Sequence, residues 1–319
     1  MMNSRLTAPG IFIGLFFIAS CTKQTVNKAD EPTNTAKPDT IIVTPFPTYN
    51  DTITAGDDNN MLLGNPTLAE PNVLFTENYL INQVYYIESY SRNRGIPNWV
   101  SWHLEAKDAV KGTDRQDDFR PFTGLPTGWY RVGANSYNFD VNKFDRGHNC
   151  PSADRISALP ANSSTFYMTN MIPQAPNLNQ GPWEGLEDFI RNTLVGPSNE
   201  AFIIMGSYGQ GGLGTGKTDT AKTIDNGRVT VPKMVWKVAV VLPKNNNDLN
   251  RIDANTTILA VNMPNVGDKF SVSNKNAWRD YLTTVNDLEA NARLHSVDLN
   301  LLSNINATVR AALKARKYN

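Results

Sequence analysis

Hydrophobic and polar positions divide the chain unevenly. An apolar run from Ile11 to Ile18 stands alone near the start, and from Thr22 to about Asn60 the sequence is mostly Thr, Pro, Asp, Asn and Lys without periodicity. That second stretch predicts an extended, solvated tether. Regular patterning begins at Met61-Leu62-Leu63-Gly64 and continues without a second linker or an internal repeat, so one domain is expected over residues 61–319. Within it, Tyr79 to Tyr90 alternates and is rich in Val, Ile and Tyr, and Asn98 to Leu104 does the same, with Arg92 to Pro97 between them. This is the signature of a strand, a turn and a strand. Thr165 to Ile172 predicts a third strand, Ala201 to Gly206 a buried fourth and Val235 to Leu242 a fifth, the last apolar enough to be central. Trp183, Leu186, Phe189, Ile190 and Leu194 recur at helical spacing behind Pro182, which suits a first helical residue. A second helix is expected from Trp278 to about Ala290, capped from Ser273 to Asn276, and a third from Asn306 to Lys314. Glycines from Gly206 to Gly216 mark a surface loop without the Gly-Lys-Ser/Thr ending of a phosphate-cradling loop. The pattern is that of an α+β domain with a central antiparallel or mixed sheet flanked by helices.

The start of the chain adds an address. Arg5, the apolar run and Ala19-Ser20-Cys21 have the layout of an export signal over residues 1–20, with an apolar part too short to span a bilayer. Small residues directly before a cysteine resemble the lipobox of bacterial lipoproteins. That resemblance implies removal of the signal, lipid on Cys21, a tether over residues 21–60 and anchoring in the cell envelope, at the outer membrane or cell surface. An ordinary secretory signal cleaved nearby is the alternative. With Cys21 lipidated, Cys150 has no partner for a disulfide, and the three histidines His103, His148 and His295 are too dispersed for a structural zinc site. Thirty basic residues balance thirty acidic ones, so a surface for polyanions must be a local basic patch.

Two segments carry candidate chemistry: Phe144-Asp145-Arg146-Gly147-His148-Asn149-Cys150-Pro151, and Asn177 to Glu187. Cutting a phosphodiester needs a base for water, positive charge for the phosphoryl oxygens and help for the departing oxyanion. His148, behind a glycine and beside Arg146, can supply the first, and Arg146 the second. Asn179 and Glu187 lie about two turns apart on nearly one helix face and can hold a mostly hydrated Mg²⁺. Each residue alone has an ordinary structural role: a packed histidine, an asparagine cap, a solvent-facing glutamate.

In order and spacing, Asp145-Arg146-Gly147-His148 with Pro151, Thr169-Asn170-Met171-Ile172-Pro173-Gln174, and Leu178-Asn179-Gln180-Gly181-Pro182-Trp183 with Leu186-Glu187 resemble the DNA/RNA non-specific endonuclease family. These are Serratia-type nucleases with a ββα-metal, or His-Me finger, site, and the resemblance covers about residues 62–300. It implies that His148 is the general base, Asn179 the direct Mg²⁺ ligand and Glu187 a ligand through water. It also implies that Arg146 contacts phosphate, Asn170 supports the site from the neighbouring strand, and an upstream arginine assists. Arg115 is the choice for that last role, although the spacing also permits Arg120. The implied cofactor is Mg²⁺, with Mn²⁺ or another divalent cation as alternatives. The implied substrates are DNA and RNA, cut to leave 5′-phosphate ends. Rival readings are an anchored nucleic-acid-binding module that does not cut, and a phosphodiesterase for another diester. The chain departs from the family in Tyr137 to Lys143, where relatives often carry an Asp-Tyr pair and a Gly-rich approach. Trp129, between Gly128 and Tyr130, is the candidate for base stacking, whereas Trp99, Trp102, Trp183, Trp236 and Trp278 fall at core-like positions. His103 and His295 are expected to be structural or exposed, and Cys150 a small buried side chain.

Overall fold

The computed structural model describes residues 59–319. The signal, Cys21 and nearly all of the tether lie outside the described residues. Ten strands, numbered along the described chain, are β1 (Tyr79–Asn82), β2 (Ile87–Ser91), β3 (Ile96–Glu105), β4 (Asp145–His148), β5 (Met171–Gln174), β6 (Asn199–Tyr208), β7 (Thr223–Ile224), β8 (Val229–Thr230), β9 (Met234–Pro243) and β10 (Thr257–Pro264). Six of them form one sheet in the order β1-β2-β3-β6-β9-β10. Every neighbouring pair in it runs antiparallel, so the sheet is antiparallel rather than mixed.

The long strands β3, β6 and β9 are buried on both faces, and their alternation sorts side chains into two layers. Trp102, Leu104, Ile203, Met205, Ala239 and Val241 face the layer that holds the candidate site. Trp99, Phe202, Ile204, Trp236, Val238 and Val240 face the other, with Val285, Leu288 and Leu313 of the C-terminal helices and Met61 to Leu63 packed on them. The five tryptophans expected in the core are each at most 1% exposed. Gly206 stays inside β6 because a Cβ there would lie 2.5 Å from both the Asn98 carbonyl and the Trp236 ring.

Several elements differ from the sequence expectation. Tyr79 to Tyr90 is two strands, because Asn82 Oδ1 accepts the Val84 amide at 2.8 Å and turns the chain with Val84 at φ 70. Thr165 to Ile172 is chiefly a 3₁₀ turn, Met168–Asn170, and strand β5 starts only at Met171. The helical stretch around Pro182 begins earlier, at Pro176, and continues to Val195, so Pro182 lies inside it. Trp278 belongs to a 3₁₀ turn, Ala277–Tyr281. The helix expected there is Val285–Arg293, capped by Thr284 Oγ1, which accepts the Asp287 amide at 3.0 Å. The last helix, Ala307–Lys314, starts after its Asn306 cap.

Candidate active site

Strands β4 and β5 pair antiparallel outside the large sheet, with His148 opposite Met171 and Gly147 opposite Ile172. A Cβ at Gly147 would lie 2.6 Å from the Gln174 Cβ on the paired strand, so a larger residue there would push β4 and β5 apart. The helical stretch Pro176–Val195 follows directly, seated on the sheet by Leu178, Trp183, Leu186 and Ile190. Two strands and a helix thus bring the two candidate segments face to face. Between them is a cavity of about 270 Å³ lined by Arg115, Arg146, His148, Asn179, Glu187 and Arg191, among others.

The His148 ring packs edge-on to Phe166, 5.0 Å between centroids, and lies 5.7 Å from Phe119. Its Nε2 is buried and has no hydrogen-bond partner. Burial, then the positive charges of Arg115 and Arg146, push the imidazole down from its ordinary value to about 3. The ring is therefore neutral near pH 7 and its basic nitrogen is unspent.

Two guanidiniums flank it. Arg146 lies 3.9 Å above the Phe119 ring. Arg115 lies 4.9 Å from the Phe166 ring centroid, donates to Ser152 Oγ at 2.6 Å and pairs with Asp117 at 2.7 Å. Arg120 faces away from the cavity: it stacks on Tyr167 at 4.1 Å and donates to Asp118 and to the Ser163 carbonyl. Of the two upstream arginines, the cavity holds Arg115.

Across the cavity, Asn179 sits inside the helical stretch, not before it. Its Nδ2 donates to Asp145 Oδ2 at 2.9 Å, and Gln180 Nε2 donates to the same oxygen at 2.8 Å. The helix opens here, with Gly181 at φ −107 and ψ −114. Two turns on, Glu187 Oε1 accepts from Lys237 Nζ at 2.9 Å, and Lys237 is 1% exposed on β9. Burial raises the Glu187 carboxyl, opposed by Lys237 and Arg191.

The placement of Asn170 is corrected: it supports the site from the 3₁₀ turn that precedes β5, not from a strand. It is fully buried; its Oδ1 accepts the Cys150 amide at 2.9 Å, and its Nδ2 donates to the carbonyls of Cys150 and Thr165 at 3.0 and 2.9 Å. It locks the chain leaving His148 and does not line the cavity. Trp129 is likewise corrected: it is 8% exposed and packs edge-on against Tyr79 at 5.2 Å, so its ring is not free to stack on a base. Cys150 is buried and its thiol is pushed up by that burial, as befits an inert side chain. His103 is buried, 3.0 Å from Glu200 Oε2, and His295 stacks on Tyr208.

Sequence reasoning missed Arg191, Lys237 and Asp154. Arg191 Nε donates to the buried Asp154 Oδ1 at 2.7 Å, and Asp154 Oδ2 accepts from Trp102 Nε1 at 3.0 Å. Arg191 follows Glu187 by one helical turn, a spacing that puts both on one face and could have disclosed it. Lys237 interrupts an otherwise apolar strand, which is the signal a buried functional cation leaves.

Among the described residues no group of three His, Cys, Asp or Glu converges as a metal cage. The donor set fits a hard, largely hydrated cation. Asp145 takes the Asn179 amide nitrogen and leaves its oxygen for the cavity, while Glu187 lines the same space.

A family model for DNA/RNA non-specific endonucleases matches residues 63–306. A nuclease of Nostoc sp. is 38% identical over 260 residues, covering 82% of this chain and 86% of that protein. Nuclease C1 of Cunninghamella echinulata is 29% identical over 164 residues, 51% of this chain and 64% of its own length. The human mitochondrial nuclease EXOG is 26% identical over 153 residues, 47% of this chain and 40% of its own. The chain thus spans less than two thirds of those last two relatives. A crystal structure of EndoG with its inhibitor EndoGI matches with a TM-score of 0.61 at 22% identity, covering 82% of this chain and 96% of that one, which supports the shared fold. By sequence along most of its length, and with a fold of that kind around the site, the chain belongs to the DNA/RNA non-specific endonuclease family.

Proposed function

We propose that this nuclease is a divalent-cation-dependent endonuclease that hydrolyses DNA and RNA alike, with His148 as general base. One observation carries the reading. A neutral imidazole shares a cavity with two guanidiniums and an asparagine whose amide nitrogen is held by Asp145. In the reaction, the His148 imidazole takes a proton from water as the water oxygen bonds to phosphorus and the bond to the 3′ oxygen breaks, the departing oxyanion taking a proton from solvent water. Arg146 and Arg115 hold the non-bridging oxygens, where negative charge grows. Phe119 and Phe166 keep both guanidiniums and the imidazole in place. Asn179 would hold the cation through its amide oxygen and Glu187 through water, and the Lys237 ammonium opposes the effect of burial on the Glu187 carboxyl. When bound, Mg²⁺, or Mn²⁺ in its place, supplies positive charge for the phosphate and the leaving oxygen. The product is a 5′-phosphate and a 3′-hydroxyl. Every group named addresses phosphate, which DNA and RNA share, so sugar and base identity need not be read.

The reading includes export and lipid attachment at Cys21, which would tether the domain to the bacterial envelope near polymeric nucleic acid outside the cell. The test of the chemistry is nicking of supercoiled plasmid and cleavage of total RNA with Mg²⁺ or EDTA, beside His148→Ala. The expected result is metal-dependent cutting of both substrates, lost in the variant. A folded, metal-supplied protein that binds DNA without cutting it would replace this reading with that of a binding module.

A further inference from the structure

Next to the catalytic cavity lies a second, larger groove of about 820 Å³, and Arg115, Arg146 and Asn179 line both. A polynucleotide whose phosphate sits between the two arginines must extend away from it, and this groove is a continuous route. Its wall differs in chemistry from the catalytic cavity. Phe139 is 48% exposed on it, a large aromatic ring open to the groove. The ring is held out by a single helical turn, Phe139–Asn142, flanked by Asn138 and Lys143, both in the left-handed region at φ 33 and 59. Lys143 Nζ stands 5.2 Å from the ring centroid. Asn135 and Asn138 stand on the same wall, and Tyr137, 1% exposed, backs it. Cationic groups at one end, an exposed aromatic face and unread polar groups along the wall are the components of a single-strand binding platform.

We propose that this groove is a subsite for an unpaired nucleobase flanking the scissile phosphate, with Phe139 as its stacking surface. The inference rests on the nuclease reading and adds to it a preference the phosphate-directed residues do not give. A base stacks on Phe139 only when it is unpaired, so the subsite favours single-stranded substrates. It is indifferent to base identity, because every base has a π-face. The segment from Tyr137 to Lys143 thereby acquires a role beside the catalytic set.

The test separates the subsite from the catalytic reading. Binding of a fluorescent oligothymidylate of about twelve nucleotides, a length within the usual range for such grooves, is measured in EDTA by anisotropy. It is compared with an oligonucleotide of the same backbone carrying abasic positions. The native protein is expected to bind the base-bearing strand about ten-fold more tightly, the size of effect one stacked base gives. Phe139→Ala should lose that discrimination, and Phe139→Trp should restore it. Equal affinity of the native protein for both strands, or discrimination retained in Phe139→Ala, overturns the proposal. Plasmid nicking by the native protein with Mg²⁺ tests the nuclease reading independently, so failure of one is not mistaken for failure of the other.

Discussion

Replacing Asp145 by alanine isolates the work of one carboxylate oxygen. Oδ2 of Asp145 accepts from Asn179 Nδ2 at 2.9 Å and from Gln180 Nε2 at 2.8 Å, and the two bonds fix which end of the Asn179 carboxamide faces the cavity. Hydrogen bonds to a charged group contribute about 1.5–3 kcal/mol each, and the half-exposed setting of Asp145 points to the lower end. Without them the carboxamide turns freely between the broad wells of its terminal torsion, and its oxygen meets the cation only part of the time. A loss of about one such bond in orienting energy corresponds to an affinity for Mg²⁺ lower by roughly ten-fold, within the 10–100-fold typical for removal of an outer partner of a metal ligand. The assay is the Mg²⁺ dependence of plasmid nicking. The expected signature is a half-saturating Mg²⁺ concentration raised by at least about ten-fold, with most of the rate recovered at saturation. Asp145→Asn retains an oxygen that both donors can reach, so its shift should be smaller. The reasoning fails if Asp145→Ala loses rate at every Mg²⁺ concentration while half-saturation stays put. That outcome would mean that Asp145 acts on something other than the orientation of Asn179.

Four further outcomes are expected. In the metal-free protein, NMR should show the His148 imidazole neutral down to about pH 5, because burial and two guanidiniums hold it near 3 rather than 6.5; Arg115→Ala should raise it, and a native midpoint at the ordinary value refutes the site electrostatics. Arg115→Ala should lower kcat/KM by about a hundred-fold or more, as loss of a charge donor to a developing oxyanion does, whereas Arg120→Ala, which leaves the cavity intact, should have a far smaller effect; the reverse order would reassign the upstream arginine. Glu88 is fully buried and burial raises its carboxyl from 4.5 to about 7, so the folded state keeps a proton that the unfolded state releases. Its stability contribution therefore falls as pH rises from 4.5 through 7, and Glu88→Gln should gain up to about 3 kcal/mol over the native protein at pH 8 but little at pH 4, measured by urea unfolding; a gain independent of pH would exclude this cause. Finally, Cys21→Ser in the full chain should move the protein from the detergent phase to the aqueous phase in Triton X-114 partition of expressing cells, and no shift would exclude lipid on Cys21.

How far the sequence disclosed the molecule depended on what each segment is for. Strands β6 and β9 were legible because they are buried on both faces and so are largely runs of apolar residues, and β3 because its large apolar residues alternate with smaller or polar ones. Strand β4 was not legible as a strand: four residues, Asp145 to His148, are too polar and too short for any hydrophobic period, and only their chemistry marked them. The Asn82 side chain made a turn around Val84, a β-branched residue whose local preference is for strand, so the break between β1 and β2 was hidden by the residue it contains. Trp129 read as a loop aromatic free to stack because its partner, Tyr79, is distant in sequence. Asn170 was expected to support the site, and only the fold shows how, with both ends of its carboxamide spent on backbone.

The arrangement also explains how so few polar residues hold a precise site. A two-stranded ribbon such as β4–β5 is marginal by itself, and the helical stretch behind it is broken at Gly181. Neither element would keep His148 and Asn179 in register alone. Both are packed on one face of the six-stranded sheet, through Met171 and Ile172 from the ribbon and Leu178, Trp183 and Leu186 from the helix. Lys237 then rises from β9, between the rings of Trp102 and Trp183, to pair with Glu187. Asp154 ties Trp102 of β3 to Arg191 of the helix. Glu187 and Arg191 are thus tied through charged hydrogen bonds to strands whose own positions are fixed by burial on both faces. Catalysis directed at phosphate needs this rigidity, because its specificity for the reaction rests on where a few charges stand when the phosphorus centre changes geometry.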